Sequence, residues 1–282
     1  MPKITSTASR ITLIAIAAIS LAGCDFRTTR PTTQPLGEHL SIVTYNVNFA
    51  MNAPDQAAQT IREINADIVC LQETTDAWEQ YLARELSDKY PHRIFKPNPG
   101  GEGSGMGVMS KAPFREISYA PPLAGYFSSL VLQAETPIGA VQICNVHLRP
   151  SATESGGVSI GKYFTAPSVH AREVEEAHQH MNPEAAAIVL GDFNEDDFGG
   201  GIKWLTNKGF TNTLPEFDTK TKTWRWKLGL LTFRDRLDHI VYSPNLRATS
   251  ARVVNKGQSD HLPVVAIIER QATSDQSTTS KQ

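Results

Sequence analysis

"IVLGDFNEDD", residues 188–197, runs from an apolar segment directly into a cluster of carboxylates and one carboxamide. Ala185 to Leu190 form a short apolar run of strand character, and Gly191 ends it. In isolation, Asp and Asn at a strand exit are ordinary turn formers. Four further clusters of polar residues sit at the ends or edges of apolar strand-like runs: "TYNVN" (44–48), "LQET" (71–74), "NVHLRP" (145–150), and the pair "RLDHI" (236–240) with "SDHLP" (259–263). Strand ends hold side chains rigidly around a common cleft while leaving their tips wet, so five such clusters together mark a site.

The rest of the chain supplies a frame for them. With 282 residues, 40% apolar and 20% charged, the composition is that of a globular protein and excludes disordered or fibrous classes. Strands are expected at "LSIVTYNVN", "DIVCLQE", "AVQICNVHL", "AAAIVLGDF", "RLDHIVYS", "SARVV" and "LPVVAIIE". Helices are expected where Ala57, Ala58, Ile61 and Ile64 share a face, where Trp78, Tyr81, Leu82 and Leu86 do, and over "SVHAREVEEAHQHM". No repeat or linker interrupts residues 40–270, which read as one domain. Cys70 and Cys144 lie in apolar runs and read as buried free thiols, although a disulfide is permitted outside the cytoplasm.

The N-terminus is read separately. Lys3 and Arg10 precede the 13 largely apolar residues "ITLIAIAAISLAG", too short to span a bilayer and suited to a signal peptide over 1–23. "LAGC" resembles a bacterial lipobox, which implies cleavage before Cys24 and its lipidation. The expected location is the cell envelope, anchored on the periplasmic side, with Asp25 favouring the inner membrane. Residues 24–39 read as a flexible tether and 271–282 as a disordered tail.

In this order and spacing the five clusters resemble the endonuclease/exonuclease/phosphatase superfamily, the deoxyribonuclease I-like proteins. The resemblance runs from about residue 41 to 268 and includes "GVMSKAPF" at 107–114, similar to a segment that joins two strands. It implies an α/β (α+β) fold, a four-layered sandwich of two mainly antiparallel sheets flanked by helices. It also implies a metal-dependent phosphoric ester hydrolase, most readily a phosphodiesterase of nuclease type, with a sphingomyelinase-like, phosphoinositide or small-phosphoester hydrolase as the alternative.

The resemblance gives each residue a role. Glu73 is the main metal ligand, assisted by Asn46, with Asp260 near the metal, and the cofactor is Mg²⁺ with Mn²⁺ or Ca²⁺ as alternatives. Asp192 orients or deprotonates the attacking water, and Asn194 donates its amide to a phosphate oxygen. Phe193 between them points into the core. His261 contacts the scissile phosphate, and Asp238 fixes its tautomer and favours imidazolium. His147 binds phosphate or assists the leaving group, and Arg149 is a candidate phosphate contact. Asn48 stands where many members carry Asp, which puts a two-metal scheme in doubt. Glu195, Asp196 and Asp197 do not match the motif and read as a solvated turn, with His170 and His239 as surface or packing residues.

Substrate is less defined. The net charge of −2 argues against a broadly basic nucleic-acid face. "KTKTWRWKLGLLTFRDR" (220–236) nevertheless interleaves cations with Trp224, Trp226 and Phe233, as a nucleic-acid or lipid-headgroup surface does, or as a plain hairpin does. The glycines of "GGEGSGMG" (100–107) lack the Lys and Ser or Thr of a P-loop. The expected partners are a phosphoester substrate and, through the anchor, a membrane; no protein partner is expected. A non-catalytic binding module on the same fold competes with this reading, but Glu73, Asp192, Asp238, Asp260 and His261 are all present. Zinc hydrolysis is disfavoured because the histidines lack close helical spacing.

Overall fold

The computed structural model describes residues 29–51, 53–96, 103–121, 127–150, 160–228 and 230–271, with side chains 160–166 and 228 outside that description. The expected signal peptide, Cys24 and all of the expected tail but Gln271 lie outside the described residues.

In chain order the elements are β1 (Leu40–Asn46), α1 (Pro54–Ile64), β2 (Ile68–Thr74), α2 (Asp76–Glu85), β3 (His92–Lys96), β4 (Gly105–Ser110), β5 (Phe114–Ala120), β6 (Ser129–Thr136) and β7 (Gly139–His147). They continue as α3 (Ile160–Gln179), β8 (Ala187–Asp192), α4 (Gly200–Asn207), β9 (Thr211–Asn212), α5 (Leu214–Phe217), β10 (Trp224–Leu228), β11 (Leu231–Asp235), β12 (Asp238–Tyr242), β13 (Leu246–Val253) and β14 (Val264–Arg270). One six-stranded sheet has the order β13-β14-β1-β2-β4-β3 and the other β5-β6-β7-β8-β12-β9, while β10 and β11 pair only with each other.

Period-two alternation builds the layers. Leu40, Ile42, Ile68 and Cys70 face inward against Ile143, Ile188, Leu190 and Ile240 of the other sheet, all fully or almost fully buried. Val43, Tyr45, Val69 and Leu71 face outward and are covered by Ala57, Ala58 and Ile61 of α1 and by Trp78 and Leu82 of α2. On the other side, Val146, Val189, Phe193 and Val241 are covered by Val174 and Ala177 of α3 and by Ile202 and Leu205 of α4. The result is the four-layered helix, sheet, sheet, helix sandwich, with Phe193 in its core.

At the centre of each sheet lies one parallel pair, β1 with β2 and β7 with β8. A parallel pair needs a crossover, and α1 and α3 supply the two. Both pairs therefore end at the same pole of the sandwich. Asn46 is in register with Gln72 in one sheet, and His147, Asp192 and Asp238 form one rung of the other.

Two local readings are corrected, and that of the cysteines holds. The third helix starts at Ile160 and carries Pro167 inside it, so it precedes the segment expected from periodicity. Residues Arg30 to Thr33 of the expected tether are bonded to the domain: the Arg30 N–H donates to the Glu216 carbonyl, Arg30 pairs with the Glu216 carboxylate, and the Thr33 N–H donates to the Thr249 carbonyl at 3.0 Å. Cys70 and Cys144 are buried free thiols.

Candidate active site

The site lies where the inward faces of the two sheets run past their apolar filling. Beneath it, three fully buried polar residues tie the sheets together. Gln72 Nε2 donates to Asn145 Oδ1 at 2.7 Å and to Thr44 Oγ1 at 3.1 Å, and Asn145 Nδ2 donates to the Leu71 carbonyl at 3.0 Å. A buried network with its members satisfied is rigid, which suits the floor of a site.

Glu73 reaches the site through a break in the alternation. By parity it belongs with Val69 and Leu71 on the helix-covered face, but a bulge between Gln72 and Thr74 and a left-handed backbone (φ 58°) turn it inward. Bulges re-aim side chains beside active sites, and a left-handed glutamate stores strain there. Its Oε1 accepts from Asn46 Nδ2 at 2.8 Å and its Oε2 from the Phe49 N–H at 3.2 Å. Asn194 is also left-handed (φ 50°). Gly191 is needed for close approach: with φ 148°, a Cβ there would meet the Val146 carbonyl oxygen at 1.8 Å.

Asp192 Oδ2 is the point of convergence. It accepts from Asn46 Nδ2 at 3.0 Å and lies 3.6 Å from both His147 Nε2 and His261 Nε2. Its other oxygen accepts the Asn194 N–H at 2.9 Å. His261 is held from behind by Asp238, whose carboxylate oxygens lie 2.9 and 3.1 Å from Nδ1. His147 stacks on Phe127 with ring centroids 4.0 Å apart, and its Nε2 lies 3.9 Å from Glu73 Oε1.

The electrostatics divide the two histidines. Burial opposes charge on His261, but Asp238 and Asp192 outweigh it and lift the imidazole to about 10. Burial drives His147 down to about 4, with Asp192 opposing. One imidazolium and one neutral imidazole therefore flank the same carboxylate, the pattern by which a site separates acid from base. Burial pushes Glu73 up to about 7 against its bond from Asn46, and burial also raises Asp192.

That excess of buried carboxylate fits a hard divalent cation. Ligand atoms of Glu73, His147 and Asp192 lie within 4.8 Å of one another, as do those of Asp192, Asp238 and His261. Glu73 and Asn46 would hold such an ion beside Asp192. Asn46 presents its amide nitrogen to the carboxylates while its Oδ1 accepts the Asn48 N–H at 2.9 Å, so ligation through oxygen requires the carboxamide to turn over. A bound cation would supply Lewis-acid polarisation of a phosphoryl oxygen.

The remaining expected residues are placed as follows. Asp260 stands outside both clusters; its oxygens accept from Asn48 Nδ2 at 2.6 Å and Trp224 Nε1 at 3.1 Å. Asn48 in place of Asp thus turns a like-charge pair into a hydrogen bond. Asn194 Nδ2 donates to the Leu148 carbonyl at 2.9 Å, leaving its second N–H for a ligand. Arg149 sits in the same rim, its backbone bonded on both sides: its N–H donates to Glu173 at 3.2 Å and its carbonyl accepts from His170 Nε2 at 2.7 Å.

Of the expected solvated turn, Asp196 is exposed, Asp197 is half-buried and Glu195 is instead a buried clamp. Glu195 is 9% exposed; it pairs with His170 Nδ1 at 2.7 Å, accepts the Ile202 N–H at 2.7 Å, and offers its carbonyl to His239 Nε2 at 2.9 Å. Asp197 pairs with the buried Arg236 at 2.8 Å. Ser259 and Thr223 were also not singled out: Ser259 Oγ ties Asn46 to His261, and Thr223 Oγ1 accepts the N–H groups of Leu237 and Asp238. Ser259 stood within "SDH", while Thr223 has no local signal.

The fold and site define a class, the metal-dependent phosphoesterases. Residues 43–261 match the model of the Endonuclease/Exonuclease/phosphatase family, and the chain belongs to that family. None of the curated proteins matches it in sequence. Among solved structures it is similar to an endonuclease/exonuclease/phosphatase from Beutenbergia cavernae DSM 12333, at TM-score 0.62 and 18% identity over 83% of this chain and 72% of that one. It is also similar to an AP endonuclease from Archaeoglobus fulgidus, at 0.61 and 18% over 80% and 98%. A third is TDP2 from D. rerio, solved with a single-strand DNA product, at 0.61 and 16% over 82% and 99%.

Proposed function

We propose that this phosphoesterase is an envelope-tethered, Mg²⁺-dependent phosphodiester hydrolase. The observation that carries the hydrolytic reading is the convergence of Asn46, His147 and His261 on one oxygen of Asp192, with Glu73 alongside. Phosphodiester cleavage at neutral pH needs an oriented nucleophilic water, a stabilised leaving oxygen and neutralised phosphoryl charge. Asp192 accepts the water's proton or aligns it. The His261 imidazolium, kept charged by Asp238, faces the phosphoryl oxygens, and neutral His147 and the free amide N–H of Asn194 complete the cradle. The anchor rests on the lipobox-like "LAGC" and on Asp25.

Two substrate classes have support. Nucleic acid, in endonuclease- or exonuclease-type cleavage, is supported by the named activities of the structural neighbours. A phospholipid headgroup, in the manner of a sphingomyelinase or phosphoinositide hydrolase, is supported by exposed apolar side chains around the site mouth. The test uses the full chain with Cys24→Ser on single-stranded and duplex DNA, RNA, sphingomyelin, phosphoinositides and a chromogenic diester, with Mg²⁺, Mn²⁺, Ca²⁺ or chelator. Chelator-sensitive cleavage of one class names the substrate. A folded protein silent on every diester would return the chain to the binding-module reading.

A further inference from the structure

Six large hydrophobic side chains are exposed among the described residues, and five of them stand on the loops and the β10–β11 hairpin that adjoin the strand ends carrying the site. Phe49 (37% exposed) follows β1, Phe198 (50%) follows β8, and Leu230 (104%), Leu231 (63%) and Phe233 (47%) belong to the β10–β11 hairpin that precedes Asp238. Exposed apolar groups gathered around one opening mark a docking surface.

The hairpin has two unlike faces. Directly opposed residues of an antiparallel pair share a face, so Trp224, Trp226, Leu231 and Phe233 lie on one and Arg225, Lys227 and Arg234 on the other. Trp226 bridges the aromatic face, with ring centroids 6.5 Å from Trp224 and 6.0 Å from Phe233. Lys227 and Arg234 are exposed and have no ion pair among the described residues, whereas Lys222 pairs with Asp235 and Arg236 is buried against Asp197. The root is fixed to the site: Trp224 bridges His261, Trp224 Nε1 donates to Asp260, and the Arg225 N–H donates to the Asp260 carbonyl at 2.9 Å.

We infer that this hairpin enters, tip first, the headgroup region of an anionic phospholipid bilayer, which sets the site against lipid phosphodiesters. A strand bound to one face of the ribbon would meet rings or cations but not both, and nucleobases do not stack on Leu230 and Leu231. A bilayer surrounds an inserted tip, so the aliphatic end enters the acyl boundary while Lys227 and Arg234 meet phosphates on the far side. The lengths agree. Four residue steps from Trp224 to Leu228 span about 13 Å, more than the 5–10 Å (roughly the depth of an interfacial helix) that the tip would bury, so the Trp224 root beside His261 stays outside the acyl region. The choice of lipid diester rests on the phosphodiesterase reading; the docking itself does not.

The test is sedimentation of the full chain carrying Cys24→Ser with vesicles of phosphatidylethanolamine and phosphatidylglycerol, beside the same chain with Leu230→Asp and Leu231→Asp. The doubly substituted chain is expected to lose vesicle binding by at least about tenfold while cleaving a soluble chromogenic diester at the parent's rate. The parent's tryptophan emission is expected to shift blue on binding. Glu73→Gln is expected to bind vesicles like the parent, so docking is read even where no substrate is cleaved. Equal sedimentation of parent and doubly substituted chain, or failure of the parent to bind, would overturn the inference. So would a single-stranded oligonucleotide that binds the parent tightly and loses affinity with Leu230→Asp and Leu231→Asp.

Discussion

His261 Nδ1 lies 2.9 Å from Asp238 Oδ2 while its Nε2 lies 3.6 Å from Asp192 Oδ2, so one buried imidazole is strung between two carboxylates. Its value near 10 exceeds the ordinary 6.5, so the stabilisation from its protonation is fully present below about 6.5 and is lost as pH rises through about 10. Asp238→Asn removes the larger support and leaves burial in force. The imidazole should then titrate well below its parent value, and the alkaline limb of the pH–rate profile should move to lower pH. Imidazole NMR titration checks the first expectation and the profile the second. An unmoved alkaline limb would exclude His261 as its source.

Glu73 sits near 7 because burial penalises its charge. A raised carboxyl lowers stability as pH climbs from the ordinary 4.5 through about 7 in metal-free buffer. Glu73→Gln removes that cost, so the variant should melt at or above the parent's temperature at pH 8 without metal. Mg²⁺ should raise the parent's melting temperature and leave the variant unmoved. Turnover in the variant should fall at least about a hundredfold.

Gly191→Ala tests the close approach beneath Asp192. The new Cβ collides with a backbone carbonyl, which has no side-chain rotamer to yield. A destabilisation of about 3 kcal/mol is expected, read by urea unfolding, together with loss of activity as Asp192 shifts. A variant of parental stability would show that the β7–β8 spacing is loose.

The His170–Glu195 pair should hold the loops that carry Asn194 and Arg149. Glu195→Ala removes the carboxylate facing His170 Nδ1, leaves the buried imidazole only its bond to the Arg149 carbonyl, and should cost about 3–5 kcal/mol. Burial lowers the His170 value, but Glu195 overcomes this and leaves it raised, so the pair's contribution fades as pH rises past the ordinary histidine range. The stability difference between parent and Glu195→Ala should therefore narrow between pH 6 and pH 9. A constant difference would assign the pair a neutral packing role.

Much of the frame was legible. β1, β2, β7, β8, β12 and β14 carry dense apolar runs because both faces of each sheet are covered. The strands β3 and β5 were not read because they are edge strands whose exposed positions, such as Arg93, Arg115 and Glu116, dilute the pattern. Of the site, the strand-end residues announced themselves, while their support did not. Glu73 reaches inward only through a bulge that no local propensity shows. Glu195 resembled a solvated turn because its partner, His170, lies 25 residues away in sequence. Gln72 and Asn145 stood inside quoted motifs, and their bond across the sheets is visible only once the sheets are packed.

The most direct test of the central claim is hydrolysis of a chromogenic phosphodiester by the full chain carrying Cys24→Ser, with Mg²⁺ and with chelator, beside the same chain with His261→Ala. Turnover that needs the cation and falls by about 10²–10⁴ in the variant is the predicted result. Turnover that persists in chelator, or that is equal in the His261→Ala chain, would contradict it.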